Sequence, residues 1–424
     1  MGKNINSTNR KKQDSAAKNG KAIGIEKTKN PHRERVKHQA GNDPGRQQRL
    51  AVLGLLQKLE RAKHAPKENP LPEPSVEYYI GIDLGDKKSH YFILDKNGNV
   101  AADGSMNTAS TDFEAHFKAI PRSRIALEVG THSPWVSALL EAIGHEVYVA
   151  NPRKMDGGKR KNRKKNDPAD AERLARQVKS DPKLLYPIRH RGQEARRALV
   201  WLRARHALVG ARTKLICSVR GLVKSDGARL PRCSADSFHK MPRTNVPQEL
   251  RDSLEPVFEQ IGLLTERIQK YEATVKRVCR DAYPEAEIFR QVDGVGLLTS
   301  FAYRLTIEDP ERFAKSRDVG PYVGLVPKQR DSGDSHPELR ITKTGDRMLR
   351  DLLVECAQHM LSRRGKDSDL RRQGLKLAAR GKKNAKKRAV VAVARKTAVL
   401  LHCLWVTGEV YEPLRNSLRA EKVA

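Results

Sequence analysis

The chain has 424 residues, with 83 Lys or Arg against 50 Asp or Glu and a formal net charge of +33. Only 38% of residues are hydrophobic, and the most apolar late stretch, 389–406, is interrupted by Arg395 and Lys396, which argues against a membrane-embedded chain. Such a charge makes a polyanion the expected partner, nucleic acid first. The N-terminal stretch lacks the apolar segment of a secretory signal, and five dispersed cysteines without a C-x-x-C pair speak against a zinc module and for a reducing, cytoplasmic setting.

Residues 1–74 carry 17 Lys/Arg and 7 Asp/Glu. They read as a basic, largely disordered arm, with a short amphipathic helix around Leu50–Leu59 and a linker bearing Pro66, Pro70, Pro72 and Pro74. From 75 to 185 the pattern is α/β. Strands are expected over 78–84 and 90–94, a third after the 95–99 turn, then 124–129 and 145–150. A helix holding Phe113, Phe117 and Ile120, capped by Thr111 or Asp112, and a second helix over 134–143 lie between them. Residues 151–166 hold eight Lys/Arg and one acid. This reads as a mobile basic loop, and Pro168 then sits early in a further helix. Residues 186–283 are helical and highly charged, and Leu250, Leu254, Val257, Ile261, Leu264, Ile268 and Tyr271 recur as in a coiled-coil seam. Residues 284–410 form a second, mainly helical region, with 411–424 as a tail.

Four acids stand at element ends in the first half: Asp83 after Ile80-Gly-Ile, Glu128 before Val-Gly130, and Asp167 with Asp170 on one helix turn. Taken singly, Asp83 reads as a turn residue, Glu128 as an exposed acid and Asp167 as a cap. Taken in order they suit phosphodiester chemistry, in which carboxylate oxygens hold two Mg²⁺ or Mn²⁺ ions about 3.5–4 Å apart. Lys159, Arg160, Arg163, Lys164 and Lys165 beside them could hold substrate phosphates.

In the second half, Ser332-Gly333 lies among Arg330, Arg340, Lys343, Arg347 and Arg350. On chemistry alone this is a Ser-Gly turn in a basic loop that binds nucleic acid, since a serine hydroxyl needs activation to act as a nucleophile. Gly294-Val-Gly296, before a helix opening at Leu297, reads either as a structural turn or as a helix-hairpin-helix-like turn whose amides grip a phosphate.

Together these motifs resemble the insertion-sequence transposases that join an N-terminal RuvC-like, ribonuclease-H-like DEDD domain to a C-terminal serine domain: the bridge-RNA-guided recombinases, related to site-specific DNA invertases. The resemblance runs from about Glu77 to Val406. It rests on Gly81-Ile-Asp83, Leu127-Glu128-Val-Gly130, Ala150-Asn-Pro152 and Asn166-Asp167-Pro-Ala-Asp170-Ala171. In the second half it rests on Val292-Asp-Gly294-Val-Gly296, Tyr322-Val-Gly-Leu-Val-Pro327, Ser332-Gly333 and Ile341-Thr-Lys-Thr-Gly345. It implies a metal-binding tetrad of Asp83, Glu128, Asp167 and Asp170 and a nucleophile at Ser332. It further implies donor and target DNA as substrates, an element-encoded guide RNA, and dimers or tetramers built on the helical arms. One departure is Asp331, where the family often has Gln before the Ser-Gly pair. Two rival readings are a metal-dependent junction nuclease that uses water, and a non-enzymatic basic scaffold for nucleic acid.

Overall fold

Alternation in two short strands decides what each side of the first domain does. In β1 (Tyr79–Asp83) the side chains of Ile80 and Ile82 are buried on one face, while Tyr79, Gly81 and Asp83 fall on the other. In β4 (Arg124–Glu128) Ile125 and Leu127 continue the first face and Ala126 and Glu128 the second. With β2 (Lys88–Leu94), β3 (Val100–Asn107) and β5 (Glu146–Ala150) they form a five-stranded sheet in the order β3-β2-β1-β4-β5. The β1–β2 and β2–β3 pairs are antiparallel, and the β1–β4 and β4–β5 pairs parallel. The mixed sheet followed by a helical region is consistent with the ribonuclease-H-like α/β-plus-α class expected from the sequence. The computed structural model describes residues 75–155, 167–331, 333, 335, 337, 339–381 and 384–417. The expected arm over 1–74, with its short helix, and the last residues of the tail lie outside them.

The first face of the sheet is covered by α1 (Ser110–Lys118) and α2 (Ser133–Ala142), which bring Phe113, Phe117, Val136 and Leu140 onto Ile80, Ile82, Ile125 and Leu127. The cap expected at Thr111 or Asp112 falls instead at Ala109, without a side-chain cap. Asp112 sits in the first helical turn and accepts a hydrogen bond from Asn107 Nδ2 at 2.9 Å, so the acid ties the helix to the end of β3. The second face is covered by α3 (Asp167–Ser180), whose Leu174 and Val178 pack with Ala126, Ala150 and Met155.

His145, at the entry to β5, is buried and its tautomer is set by the backbone. Ser123 N–H donates to Nδ1 at 3.2 Å, so Nε2 carries the proton and donates to Phe117 O at 3.0 Å. Burial, with Arg122 adding to it, holds this imidazole below its usual pKa, and burial does the same at His116 and His190. A lowered folded value means that the unfolded chain binds more protons below about pH 6.5. The stability these neutral rings supply is therefore complete above that pH and is lost as pH falls through the folded values. The urea midpoint should fall between pH 7.5 and pH 5, and His145→Gln should flatten part of that slope; an unchanged slope would remove His145 from the account.

Helices α4 (Gln193–Ser225) and α5 (Gln248–Ala282) pack on each other. Trp201 and Tyr271 lie 5.5 Å apart, and Arg205 Nε donates to Glu272 Oε1 at 3.0 Å. Leu254, Ile261, Leu264 and Ile268 of the expected seam are buried, and their far end joins Val219, Val223 and Phe238 in a small core of its own. The near end of α4 enters the largest core through Ala195, Leu199 and Leu202. There it meets α6 (Leu297–Ile307), α7 (Val319–Tyr322), α8 (Arg347–Leu361) and α10 (Ala385–Thr407), while α9 (Asp369–Ala378) packs on α10. By length and composition α10 could cross a membrane. Its Val393, Ala394, Ala398, Leu401 and Trp405 are instead spent on this core.

Candidate functional site

Glycine at 81 lets a helix lie directly on the strand that carries the first acid. A Cβ there would stand 1.9 Å from Ala171 O and 2.4 Å from Ala175 N, so α3 rests on β1 backbone to backbone. Lys179, near the other end of α3, lies with Nζ 5.6 Å from the Tyr79 ring. The helix therefore runs opposite to β1, and its N-terminus, with Asp167 and Asp170, arrives where β1 ends in Asp83. The parallel register pairs Ile82 with Leu127, so Asp83 and Glu128 stand one residue beyond, on adjacent strands about 4.8 Å apart. Both face α3. Three separate elements thus bring the four acids to one end of one side of the sheet.

A residue that sequence reading missed links two of them. Arg173, three residues after Asp170 on the same face of α3, donates to Glu128 Oε1 at 2.9 Å and lies 3.3 Å from Asp170 Oδ1. The i, i+3 spacing was a visible signal, though the contact to Glu128 was not. Among the described residues, no three His, Cys, Asp or Glu side chains gather closely enough to hold a metal ion. Carboxylate oxygens are the donors a hard divalent cation takes, but two of the four acids, Glu128 and Asp170, already have their charge met by the Arg173 guanidinium.

The loop after Glu128 is fixed from outside the sheet. Ser133 Oγ accepts from Gly130 N at 2.9 Å and lies 3.0 Å from His190 Nε2. His190 belongs to the 187–192 segment, which also reaches the second half. Arg191 Nε donates to Thr306 O at 3.1 Å, and Gly192 N to Glu308 Oε1 at 2.6 Å.

Ser332 lies outside the described residues, as do Lys159, Arg160, Arg163, Lys164 and Lys165. The base of the serine loop is closed by backbone hydrogen bonds. Thr342 N donates to Val326 O at 2.9 Å, and Lys328 N to Arg340 O at 3.0 Å, which pins the two ends of the loop together. The motifs on either side meet through glycines. A Cβ on Gly324 would stand 2.3 Å from Thr344 O, and one on Gly345 would stand 1.9 Å from Tyr322 O. Both have positive φ, at 72° and 74°. Arg330, Arg340, Lys343 and Arg347 are exposed around this base. Arg350 is not: it is buried and donates to Val323 O at 3.1 Å and Thr344 O at 2.9 Å, so it braces the loop from beneath.

The Gly294-Val-Gly296 turn joins a 3-10 helix over Pro284–Gln291 to α6. Gly294 has φ of 83° and packs on α8, and Gly296 is the N-cap of α6, with open space around it. Asp293 Oδ2 accepts from Lys366 N at 3.0 Å, which ties the turn to the segment after α8.

Comparison with known proteins is informative for both halves. Residues 80–225 match a transposase family with a DEDD domain of the IS110 type, and residues 286–372 match the transposase IS116/IS110/IS902 family. The transposase for insertion sequence element IS1328 of Yersinia enterocolitica is 28% identical over 288 residues, 67% of this chain and 84% of that protein. The transposase for insertion sequence element IS1111A of Coxiella burnetii is 28% identical over 253 residues, 58% of this chain and 68% of that protein.

Proposed function

Because the chain is a transposase of the IS110/IS116 family with a DEDD transposase domain, we propose that it moves an insertion sequence by cutting and rejoining DNA strands through two sets of residues. Asp83, Glu128, Asp167 and Asp170 are the first set, and Ser332 with the cations around its loop is the second. The observation that carries this reading is the seating of α3 on Gly81, since it brings acids from three elements to one end of the sheet. On this reading 75–185 is the acidic catalytic domain, 284–410 the serine domain, and 186–283 the arms through which dimers or tetramers form.

Asp83, Glu128, Asp167 and Asp170 would hold Mg²⁺ or Mn²⁺, two ions on this reading, and the metal would supply stabilisation of the negative charge developing on phosphate and leaving oxygens. Ser332 Oγ attacks a DNA phosphorus. The Oγ–P bond forms, the bond from phosphorus to a deoxyribose oxygen breaks, and the serine proton ends on that oxygen. The phosphoserine conserves the bond energy, and a deoxyribose hydroxyl of the second DNA reverses the step to join the strands. Arg330, Arg340, Lys343 and Arg347 balance the charge at phosphorus. Gly294 and Gly296 offer backbone amides to a further phosphate. An RNA encoded by the element chooses the sites by pairing with donor and target, and the basic arm of 1–74 adds contacts to nucleic acid independent of sequence.

The test is a plasmid with the element's flanking DNA, a candidate target and this protein, read by sequencing donor–target junctions. Ser332→Ala should leave no junctions while DNA binding persists. Junctions formed by Ser332→Ala would overturn the serine assignment. Cut ends that survive Ser332→Ala but vanish with Asp83→Asn would make the protein a metal-dependent nuclease instead.

A further inference from the structure

A single nitrogen of Arg173 reaches two of the four acids. Its Nη2 lies 2.9 Å from Glu128 Oε1 and 3.3 Å from Asp170 Oδ1. Those oxygens come from different elements, the end of β4 and the first turn of α3. Sharing one nitrogen puts them no more than about 6 Å apart. The opposite side of the guanidinium is less well served: Nε is buried and meets no hydrogen-bond partner among the described residues. A buried donor left unpaired carries a cost, so the two carboxylates, and not full satisfaction of the side chain, set where Arg173 lies. Arg176 on the same helix makes the contrast. It pairs with Glu172 one turn back, and that pair stays within α3.

The position between two carboxylate oxygens from different elements is also the one a bridging divalent cation takes. The two occupants differ in reach. A charged N–H donor sits about 2.7–2.9 Å from a carboxylate oxygen, whereas Mg²⁺ sits about 2.0–2.1 Å from its ligands. Two oxygens on one such ion are therefore no more than about 4 Å apart, which leaves no room for a nitrogen between them. Guanidinium and ion are alternatives: they take the same space and neutralise the same charge. The wider spacing set by Arg173 agrees with the lack, among the described residues, of three acids close enough to share an ion.

We propose that Arg173 is a built-in counter-ion, which fills the bridging position in the metal-free chain and gives up Glu128 and Asp170 when a divalent cation is bound. It thereby sets how much metal the acidic end of the sheet needs. The inference rests on the reading of the four acids as metal ligands, and is independent of Ser332, DNA and RNA. Its test therefore uses the full chain without nucleic acid, and Mn²⁺ alone as the probe.

Mn²⁺ binding is read from loss of the free-ion electron paramagnetic resonance signal, taking the part that Asp83→Asn abolishes. Arg173→Gln should bind that ion on the order of tenfold more tightly, within the range for two ligands coupled through one site. Arg173→Lys keeps the charge and should stay close to the native chain. Arg176→Gln removes an equal charge from the same helix and should also leave the affinity unchanged. The Arg173 pair is half-exposed, and such pairs add little to folding, so Arg173→Gln should fold. Reciprocity gives a second readout, on the native chain itself. Modification of Arg173 by phenylglyoxal, read by mass spectrometry, should quicken severalfold when Mn²⁺ is added, because the guanidinium leaves its carboxylates. It should not quicken in Asp83→Asn. If Arg173→Gln fails to fold, this result decides. Asp83-dependent Mn²⁺ binding that is no tighter in Arg173→Gln, or that leaves Arg173 no more reactive, would overturn the inference and leave the acids as metal ligands. Lack of Asp83-dependent Mn²⁺ binding in both the native chain and Arg173→Gln would overturn the two together.

Discussion

Asp83→Asn should lower the yield of donor–target junctions by two to three orders of magnitude, on the order of what removal of one group that stabilises transition-state charge costs. The substitution keeps the shape of the side chain and deletes its charge. The strand does not need that charge to fold. Ile80 and Ile82 supply the burial in β1, and Asp83 is only half-buried at its end. Melting temperature and DNA affinity should stay close to those of the native chain, which separates lost chemistry from lost structure. Asp86→Asn gives the internal comparison. It removes the same charge three residues on, from a side chain that is 93% exposed, and should change the yield by less than twofold. If Asp83→Asn still joined DNA within a few-fold of the native chain, the acidic end of the sheet would not be where strand cleavage is supported.

The contrast between Asp83 and Arg173 shows what was legible in the sequence. Asp83 could be found because a two-residue alternation and a flanking glycine place it at a strand end without any knowledge of its neighbours. The other strands and the helices over 110–118 and 133–142 could be read just as locally, the third strand from the 95–99 turn before it and the start of the helix over 297–307 from the Gly294-Val-Gly296 turn. Arg173 could not, because its role depends on β4 lying under α3, a contact between residues 45 apart in the chain. The cap of α1 was misread for a similar reason. Asp112 is a good local cap, but the end of β3 offers it Asn107, and the helix starts earlier. Arg350 looked like one more cation of the serine loop. Only the approach of the Gly324 and Gly345 backbones shows that carbonyls converge on it from beneath. The sequence pattern thus carried what each element is, while pairwise meeting of elements carried what the charged residues between them do.

Gly81→Ala should combine a loss of stability with a larger loss of DNA joining. The added Cβ would fall 1.9 Å from Ala171 O, and both close neighbours are backbone atoms of α3, so no rotamer change can make room. Either the sheet bends or the helix lifts. Overpacking of this kind costs roughly 1–3 kcal/mol and more where the obstacle is rigid, which should lower the melting temperature by several degrees. The helix that lifts is the one whose first turn carries Asp167 and Asp170, and a displacement of about 1 Å in a reacting group can cost on the order of a hundredfold in rate. Junction yield should therefore drop far more than the unfolded fraction explains, when both are measured well below the melting transition. Ala171→Gly should not rescue the variant, because the clash is with the carbonyl oxygen of residue 171 and not with its methyl group. Gly130→Ala, where a Cβ meets nothing within 4 Å, should leave both readouts unchanged. Stability that falls while joining is retained would show that α3 can move without disturbing the acids, and the four-acid arrangement would then owe nothing to the close seating of helix on strand.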